Sequence, residues 1–359
     1  MAAESESLLQ DTGFERGLQV MANVRHPYTR GEIEEDVLVA KTGKLSPVWR
    51  LNQWYNTYSI MDALPIMLEK GGVRWELVKP VDGVSQFFKS VTLAPDNSER
   101  GDVILSQNAF AEYALAKREQ REAGKASLYI DSLEEGWPHL LLAQSLKSER
   151  LSKFSALHFS LDARLLGHRA NIHEGYQKSL HAARFVVAIS VQNTLSQNNL
   201  WLMLPVYDSR FPFSGFGCRK CLDDGEENCY WPKTRRDKGR WLCPLDGENW
   251  QRNSTKLGTN SLLFRVPTKA LTQGDIHSGE WVHFESNLMP YIEEAIQAAR
   301  DSKKTSGFSG DLHRYRITLF TLGWEITGLD EASVQIKNLQ FNAVRKPRKI
   351  SGHKFIFHD

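Results

Sequence analysis

The sequence predicts a mainly β protein, an antiparallel two-sheet sandwich with a few helices and a cysteine-bearing insertion. Three observations carry that expectation. Beyond Lys125, apolar and polar residues alternate over several segments; only two stretches keep a helical period; and all four cysteines of the 359 residues fall between Cys218 and Cys243. Successive strand side chains point to opposite faces, so a period of two marks a half-buried strand. Strands joined by irregular turns, without regular strand–helix alternation, favour antiparallel layers over a parallel α/β sheet.

Taken in order, residues 1–39 show few periodic apolar positions and read as a loosely ordered lead-in. Residues 45–60 form a dense aromatic stretch opened by Pro47. Residues 73–78 and 87–93 are short apolar runs separated by Pro80 and Gly83, as strands would be. Residues 106–123 change to helical spacing: Ser106 or Asn108 can cap the start, Phe110, Tyr113, Ala114 and Ala116 fall near one face, and Gly124 is a stop. The period of two then takes over. Residues 155–166 set Leu157, Phe159, Leu161, Ala163 and Leu165 against His158, Ser160, Asp162 and Arg164, and residues 184–194 and 200–210 repeat the pattern. Residues 261–266, 315–326 and 333–341 supply further strands, and one helix, residues 285–301, interrupts them. Together these make a single domain over residues 40–344, followed by a basic tail at 345–359.

Composition narrows the function classes. With 45 basic and 43 acidic residues the net charge is +2, which gives no global case for nucleic acid or an anionic membrane. A hydrophobic fraction of 41% and a charged fraction of 25% are those of a folded chain. No stretch approaches the ~18 uninterrupted apolar residues of a membrane-crossing helix. The acidic start Met1-Ala-Ala-Glu-Ser-Glu-Ser lacks the apolar core of a secretory leader, so the expected location is cytoplasmic. Ten Trp among 37 aromatics imply heavy cores, flat ligand platforms, or both.

Cys218-Arg-Lys-Cys221, then seven residues to Cys229 and thirteen to Cys243, lie in a polar, glycine-flanked insertion at residues 214–250. A Cys-x-x-Cys pair presents two thiolates to one ion from a tight turn, and two more complete the tetrahedral shell of structural zinc. Two disulfides or free thiols are the competing readings; an intracellular location disfavours disulfides. A closed four-thiolate site leaves no coordination position for catalysis.

Candidate ligand-facing residues follow from chemistry-bearing clusters. Trp137 and His139, with Gln144, join a rigid Trp-Pro turn to an imidazole and an amide; a core strand with a satisfied histidine is the plainer reading. His158, Asp162 and Arg164 share one strand face, with Arg184 and Gln192 expected opposite on a neighbour, an array suited to a polyhydroxylated or carboxylated ligand. Trp201 opens a strand that ends in Tyr207, Asp208 and Arg210, a base, an orienting acid and a cation of the kind that β-elimination from a uronic acid requires. A strand-end salt bridge is the structural alternative. No P-loop, Gly-x-Gly-x-x-Gly, His-Glu-x-x-His or Gly-x-Ser-x-Gly motif occurs, so nucleotide, dinucleotide and common hydrolase chemistry have no foothold.

The run from Trp201 to Arg210, the helix around Leu288 to Ala299, and Thr321-Leu-Gly-Trp-Glu-Ile-Thr-Gly with Ala332-Ser-Val-Gln-Ile-Lys-Asn-Leu-Gln340 resemble jelly-roll sandwiches of the carbohydrate-binding or polysaccharide-lyase-like kind. The resemblance spans roughly residues 130–342. It implies a jelly-roll fold and a glycan-type ligand, uronate-containing polysaccharides among them, and carries no catalytic signature; the cysteine insertion departs from it. Two other classes stand beside this expectation. One is an intracellular interaction or scaffold protein whose zinc-ordered loop meets a protein partner. The weaker one is nucleic-acid binding through the basic tail and Lys233-Thr-Arg-Arg-Asp-Lys-Gly-Arg240.

Overall fold

The computed structural model describes residues 4–22, 34–38, 45–69, 71–94, 103–122, 138–170, 182–209, 251–252, 262–301, 307–326 and 330–347. The first strands are β1 (Ser5–Ser7), β2 (Leu18–Met21), β3 (Glu34–Leu38), β4 (Trp49–Asn52), β5 (Pro65–Met67), β6 (Val73–Val81), β7 (Val84–Leu93) and β8 (Val103–Asn108), followed by helix α1 (Ala109–Glu122). Then come β9 (His139–Ser145), β10 (Phe154–Ala170), β11 (Ala183–Asn193), β12 (Asn199–Asp208), β13 (Gln251–Arg252), β14 (Leu262–Arg265) and β15 (Val282–Asn287). Helix α2 (Met289–Asp301), β16 (Tyr315–Ile326) and β17 (Asp330–Arg345) complete the order.

These strands form two sheets. An eight-stranded sheet runs β15-β10-β17-β8-β7-β6-β5, with β1 also on β17, and a nine-stranded sheet runs β13-β14-β12-β11-β16-β9-β4-β2-β3. The nine-stranded sheet is mixed rather than wholly antiparallel, because β2 runs parallel to β4 and β12 to β14. Both pairs are separated by long stretches of chain. Only a tight hairpin forces antiparallel pairing, and a long connection frees the direction.

Apolar alternation puts one face of each sheet into a shared core. Phe320 of the nine-stranded sheet has its ring centroid 6.5 Å from Phe159 and 5.8 Å from Phe341 of the other sheet. Trp324 is fully buried and its indole Nε1 donates to Leu105 O at 2.8 Å, tying the layers together. A buried indole that finds an acceptor avoids the penalty of an unmet donor.

Of the residues expected as a loose lead-in, 4–22 and 34–38 are part of this body. β1 pairs with β17 and β2 lies between β4 and β3, while Leu9, Phe14, Leu18 and Val20 are buried. Strands of three or four residues are too short to show a period in the sequence. At β17's far end Arg345, the first residue of the expected tail, ion-pairs with Glu6 at 2.6 Å and Glu149 at 2.7 Å. The Arg345 hydrogen bond, and next that of Lys153, hold the Glu149 carboxyl down to about 2.

Both helices sit where expected, with shifted starts. Asn108 Oδ1 accepts from Ala111 N at 3.0 Å and caps α1, but Phe110 faces outward and Glu112 is buried. Residues 282–287, expected in part as helix, extend β15 alongside β10; Asn287 Oδ1 accepts from both Leu157 N and Met289 N, ending the strand and opening α2. Met289, Ile292, Ala295, Ile296 and Ala299 form the buried stripe of α2. The cysteine insertion, Trp137, Arg210 and residues 348–359 lie outside the described residues.

A candidate ligand site on the outer face of the nine-stranded sheet

Four adjacent strands of the nine-stranded sheet bring four polar residues into register. Asp208 of β12 pairs with Arg184 of β11, Arg184 with Glu325 of β16, and Glu325 with His139 of β9. The neighbouring residues Tyr207, Phe185, Trp324 and Leu140 belong to the core, so alternation turns the four to the opposite, outer face. Arg184 Nη2 donates to Glu325 Oε2 at 2.7 Å, and His139 Nε2 lies 3.8 Å from Glu325 Oε1. Arg184, Asp208 and His139 are 5%, 5% and 6% exposed, whereas the Glu325 side chain keeps 16%. Acid, base, acid and imidazole thus alternate along a line. Desolvated charges of one sign would repel strongly, and alternation is the arrangement that such a line tolerates.

The next row on this face is uncharged. Asn52, Leu141, Gly323, Val186 and Pro205 occupy successive strands. Gly323 has φ +146°, and a Cβ there would lie 2.2 Å from Leu140 O, so only glycine allows β9 and β16 this close. The same residue leaves the sheet surface without a side chain directly beside Glu325. Asn52 is 1% exposed, and its Oδ1 has no hydrogen-bond partner among the described residues. A buried acceptor left unmet costs roughly 1–3 kcal/mol, which a ligand donor would recover.

Aromatic rings close one end of the row. The Trp54 and Tyr55 centroids lie 5.8 and 5.6 Å from the His139 ring, and both side chains are half-buried. Tyr55 holds φ 58°, a left-handed conformation that costs a non-glycine residue roughly 1–2 kcal/mol. Its surroundings hold it there. Asn56 Nδ2 donates to His139 O at 2.6 Å, and Asn56 Oδ1 accepts from Lys89 Nζ at 2.6 Å and Gln107 Nε2 at 2.9 Å. Lys89 also pairs with Glu112 at 3.1 Å, with both side chains fully buried. Glu112 in turn accepts from the backbone N–H groups of Thr57 and Tyr58, while Lys89 donates to Tyr58 O at 2.7 Å. A desolvated ion pair therefore fixes the backbone that presents Trp54 and Tyr55 to His139.

The residues nominated from sequence divide among three surfaces. His139, Arg184 and Asp208 meet in the row. Trp201 lies on the same outer face, against the small cluster of Val186, Ala188 and Met203. Gln192 accepts from Arg316 at 3.3 Å at the other end of β11, eight residues from Arg184 and roughly 27 Å along the strand. His158 and Arg164 belong to β10 in the other sheet, so they cannot sit opposite Arg184 and Gln192 as expected. Tyr207 points inward, 5.9 Å from Trp324, so it does not share a face with Asp208 and the elimination trio is split. Gln144 is tied up with the backbone of Gln10 through bonds of 2.8 and 2.9 Å. Trp137, Arg210 and Cys218, Cys221, Cys229 and Cys243 lie outside the described residues.

Sequence reasoning missed Glu325, Asn52 and the Trp54–Tyr55 turn. The signal for Glu325 was present: in Gly323-Trp-Glu325 the tryptophan must face the core, which sends its neighbour outward.

The row places a cation between two carboxylates. Glu325 and Asp208 stand two strand spacings apart, roughly 9.6 Å, with Arg184 between them. A carboxylate pair that splits a glycosidic bond leaves the gap open for a sugar or an attacking water. Here the guanidinium fills it.

No family model matches the chain, and no curated protein matches it. Solved structures match at low similarity. They include a family 12 xyloglucanase from Bacillus licheniformis, with 11% identity, 78% of this chain and 97% of that chain covered, and a TM-score of 0.34. An endoglucanase from Rhodothermus marinus matches with 10% identity, coverages of 79% and 97%, and a TM-score of 0.36. The xyloglucanase domain of a type three effector from Sinorhizobium fredii, solved with cellobiose, matches with 10% identity, coverages of 78% and 96%, and a TM-score of 0.34.

Proposed function

We propose that the protein binds a glycan-type, polyhydroxylated ligand at the His139–Glu325–Arg184–Asp208 row. The observation that carries this reading is the in-register line of four polar side chains on one outer sheet face, beside the gap left by Gly323 and two aromatic rings. Fixed donors and acceptors orient hydroxyl groups, and aromatic faces cover the apolar side of a sugar ring. Glu325 is the most exposed of the four and is assigned as the hydroxyl acceptor. A uronate would have to compete with Glu325 for Arg184, so neutral sugars are the favoured class. Calorimetric titration with neutral and uronate oligosaccharides tests this. Glu325→Gln is expected to weaken the best ligand about 10- to 100-fold, the worth of a charge-assisted hydrogen bond. Unchanged affinity in that variant, or no binding by any sugar, would remove the reading.

We also propose that Cys218, Cys221, Cys229 and Cys243 hold one structural zinc, on the chemistry of four thiolates without a competing histidine. Elemental analysis should find about one zinc per chain, and chelation should lower the melting temperature. Metal-free protein of unchanged stability would contradict it.

A further inference from the structure

The outer face of the eight-stranded sheet carries a second, chemically different surface. Trp281, just before β15, has its ring centroid 4.8 Å from Arg164 Cζ on β10 and 4.3 Å from Lys337 Nζ on β17. Contact with cations from two successive strands means that the half-buried indole is laid over the sheet, not standing from it. Arg164 is locked beneath by donating through Nε, at 2.8 Å, and Nη2 to Gln335 Oε1.

Next along β17 the pairing with β10 shifts between Ser160 and Asp162, and Asn338 takes a left-handed φ of 53°. A bulge re-aims side chains, and asparagine is among the few residues that take a left-handed φ readily. Asn338 Nδ2 donates to Asp162 Oδ2 at 2.8 Å, while Asp162 Oδ1 bonds His283. Beyond the bulge lies a depression of about 310 Å³ lined by Ser7, Thr12, Asn338, Leu339, Gln340 and Asn342. Every polar group in that lining is a neutral amide or hydroxyl. The stripe from Lys337 to Asn342 runs roughly 17 Å along the strand, five residues at strand rise.

We propose that this stripe is a second binding surface, for a neutral, polyhydroxylated chain that lies along β17 with one ring on Trp281. The lining selects that class. A polyanion would want cations clear of carboxylates, but Arg164, Lys337 and His283 share this face with Asp162 and Glu285, both of which lie against His283. A protein partner would want an apolar centre, and among the described residues the one apolar side chain lining the depression, Leu339, is 2% exposed and belongs to the core. Amides with paired donors and acceptors, ending in a flat ring, match hydroxyls and a sugar face. The surface lies on the opposite side of the sandwich from Glu325 and stands on different residues.

Affinity electrophoresis of the full chain in gels containing neutral or anionic polysaccharides tests this. Retardation is expected in at least one neutral polysaccharide. Trp281→Ala should weaken it about tenfold, the loss typical of an anchoring aromatic. The surface variant Gln340→Ala/Asn342→Ala should weaken it as well, with an unchanged melting temperature. Glu325→Gln should leave this component in place, which separates it from the site on the other sheet. With Glu325→Gln as the background, retardation that survives both stripe variants, appears only with anionic polysaccharides, or is absent from every gel would overturn the proposal.

Discussion

The two outer faces of the sandwich solve polar chemistry in opposite ways. The face of the nine-stranded sheet is nearly sealed: Val186, Ala188 and Met203 are 5–7% exposed, and its charges are buried in one alternating line. The face of the eight-stranded sheet is open, with Asn338 and Gln340 exposed and its charges paired locally around one indole. Buried groups must be fully arranged before a ligand arrives, because an unmet charge is expensive there. On the open face Asn338 donates to Asp162 and Asn342 to Gln340, and such exposed bonds can be exchanged for ligand hydroxyls at little cost. The first face should therefore recognise few ligands and tolerate few substitutions, and the second should do the reverse.

The largest expected effect lies beneath the first face. Lys89→Met strips the fully buried Glu112 of the cation it pairs with and should cost about 3–5 kcal/mol in urea unfolding. Lys89→Met with Glu112→Leu should recover much of that, since both charges are gone. If the single variant is as stable as the parent, the pair does not hold the Trp54–Tyr58 turn.

Gly323→Ala comes next. Its Cβ would meet the Leu140 carbonyl, and the expected cost is about 1–3 kcal/mol, that of forced overpacking. The exposed Gly83, with nothing within 4 Å of a Cβ but a φ of +76°, gives the matched control for backbone strain alone. Equal losses at the two positions would mean that close strand approach contributes nothing.

The smallest effect is on the open face. The hydrogen bond to Asp162 raises the pKa of His283, opposed by partial desolvation and helped by Glu285. A raised folded value stabilises below the unfolded value of about 6.5 and loses that contribution as pH rises through the folded one. An NMR titration of the imidazole should show the upward shift, and Asp162→Asn should return it toward normal. An unshifted His283 in the parent would break the assignment of this local pairing.

Much of the architecture was legible from residue order. β16 falls on the expected residues 315–326, and β10, β11 and β12 match within a few positions, because each has a long run of alternating residues. Sheet membership was not legible. The strands bearing Arg164 and Arg184 look alike, and only long-range pairing puts one in each sheet. The site was partly legible for the same reason. His139, Arg184 and Asp208 stood out as polar residues in apolar strands, but their line exists only once four strands are in register. Lys89 and Glu112 gave no signal, since a charge in a strand or helix reads as a solvated face until its burial is seen.

The most direct test is to label leucine and valine methyls and titrate the protein with the neutral oligosaccharide that binds best in calorimetry. Leu141 and Val186 flank Gly323, so their methyl resonances should shift with the same saturation as the heat, and Glu325→Gln should suppress both. Saturable binding that leaves Leu141 and Val186 unmoved would contradict the placement of the ligand on this sheet.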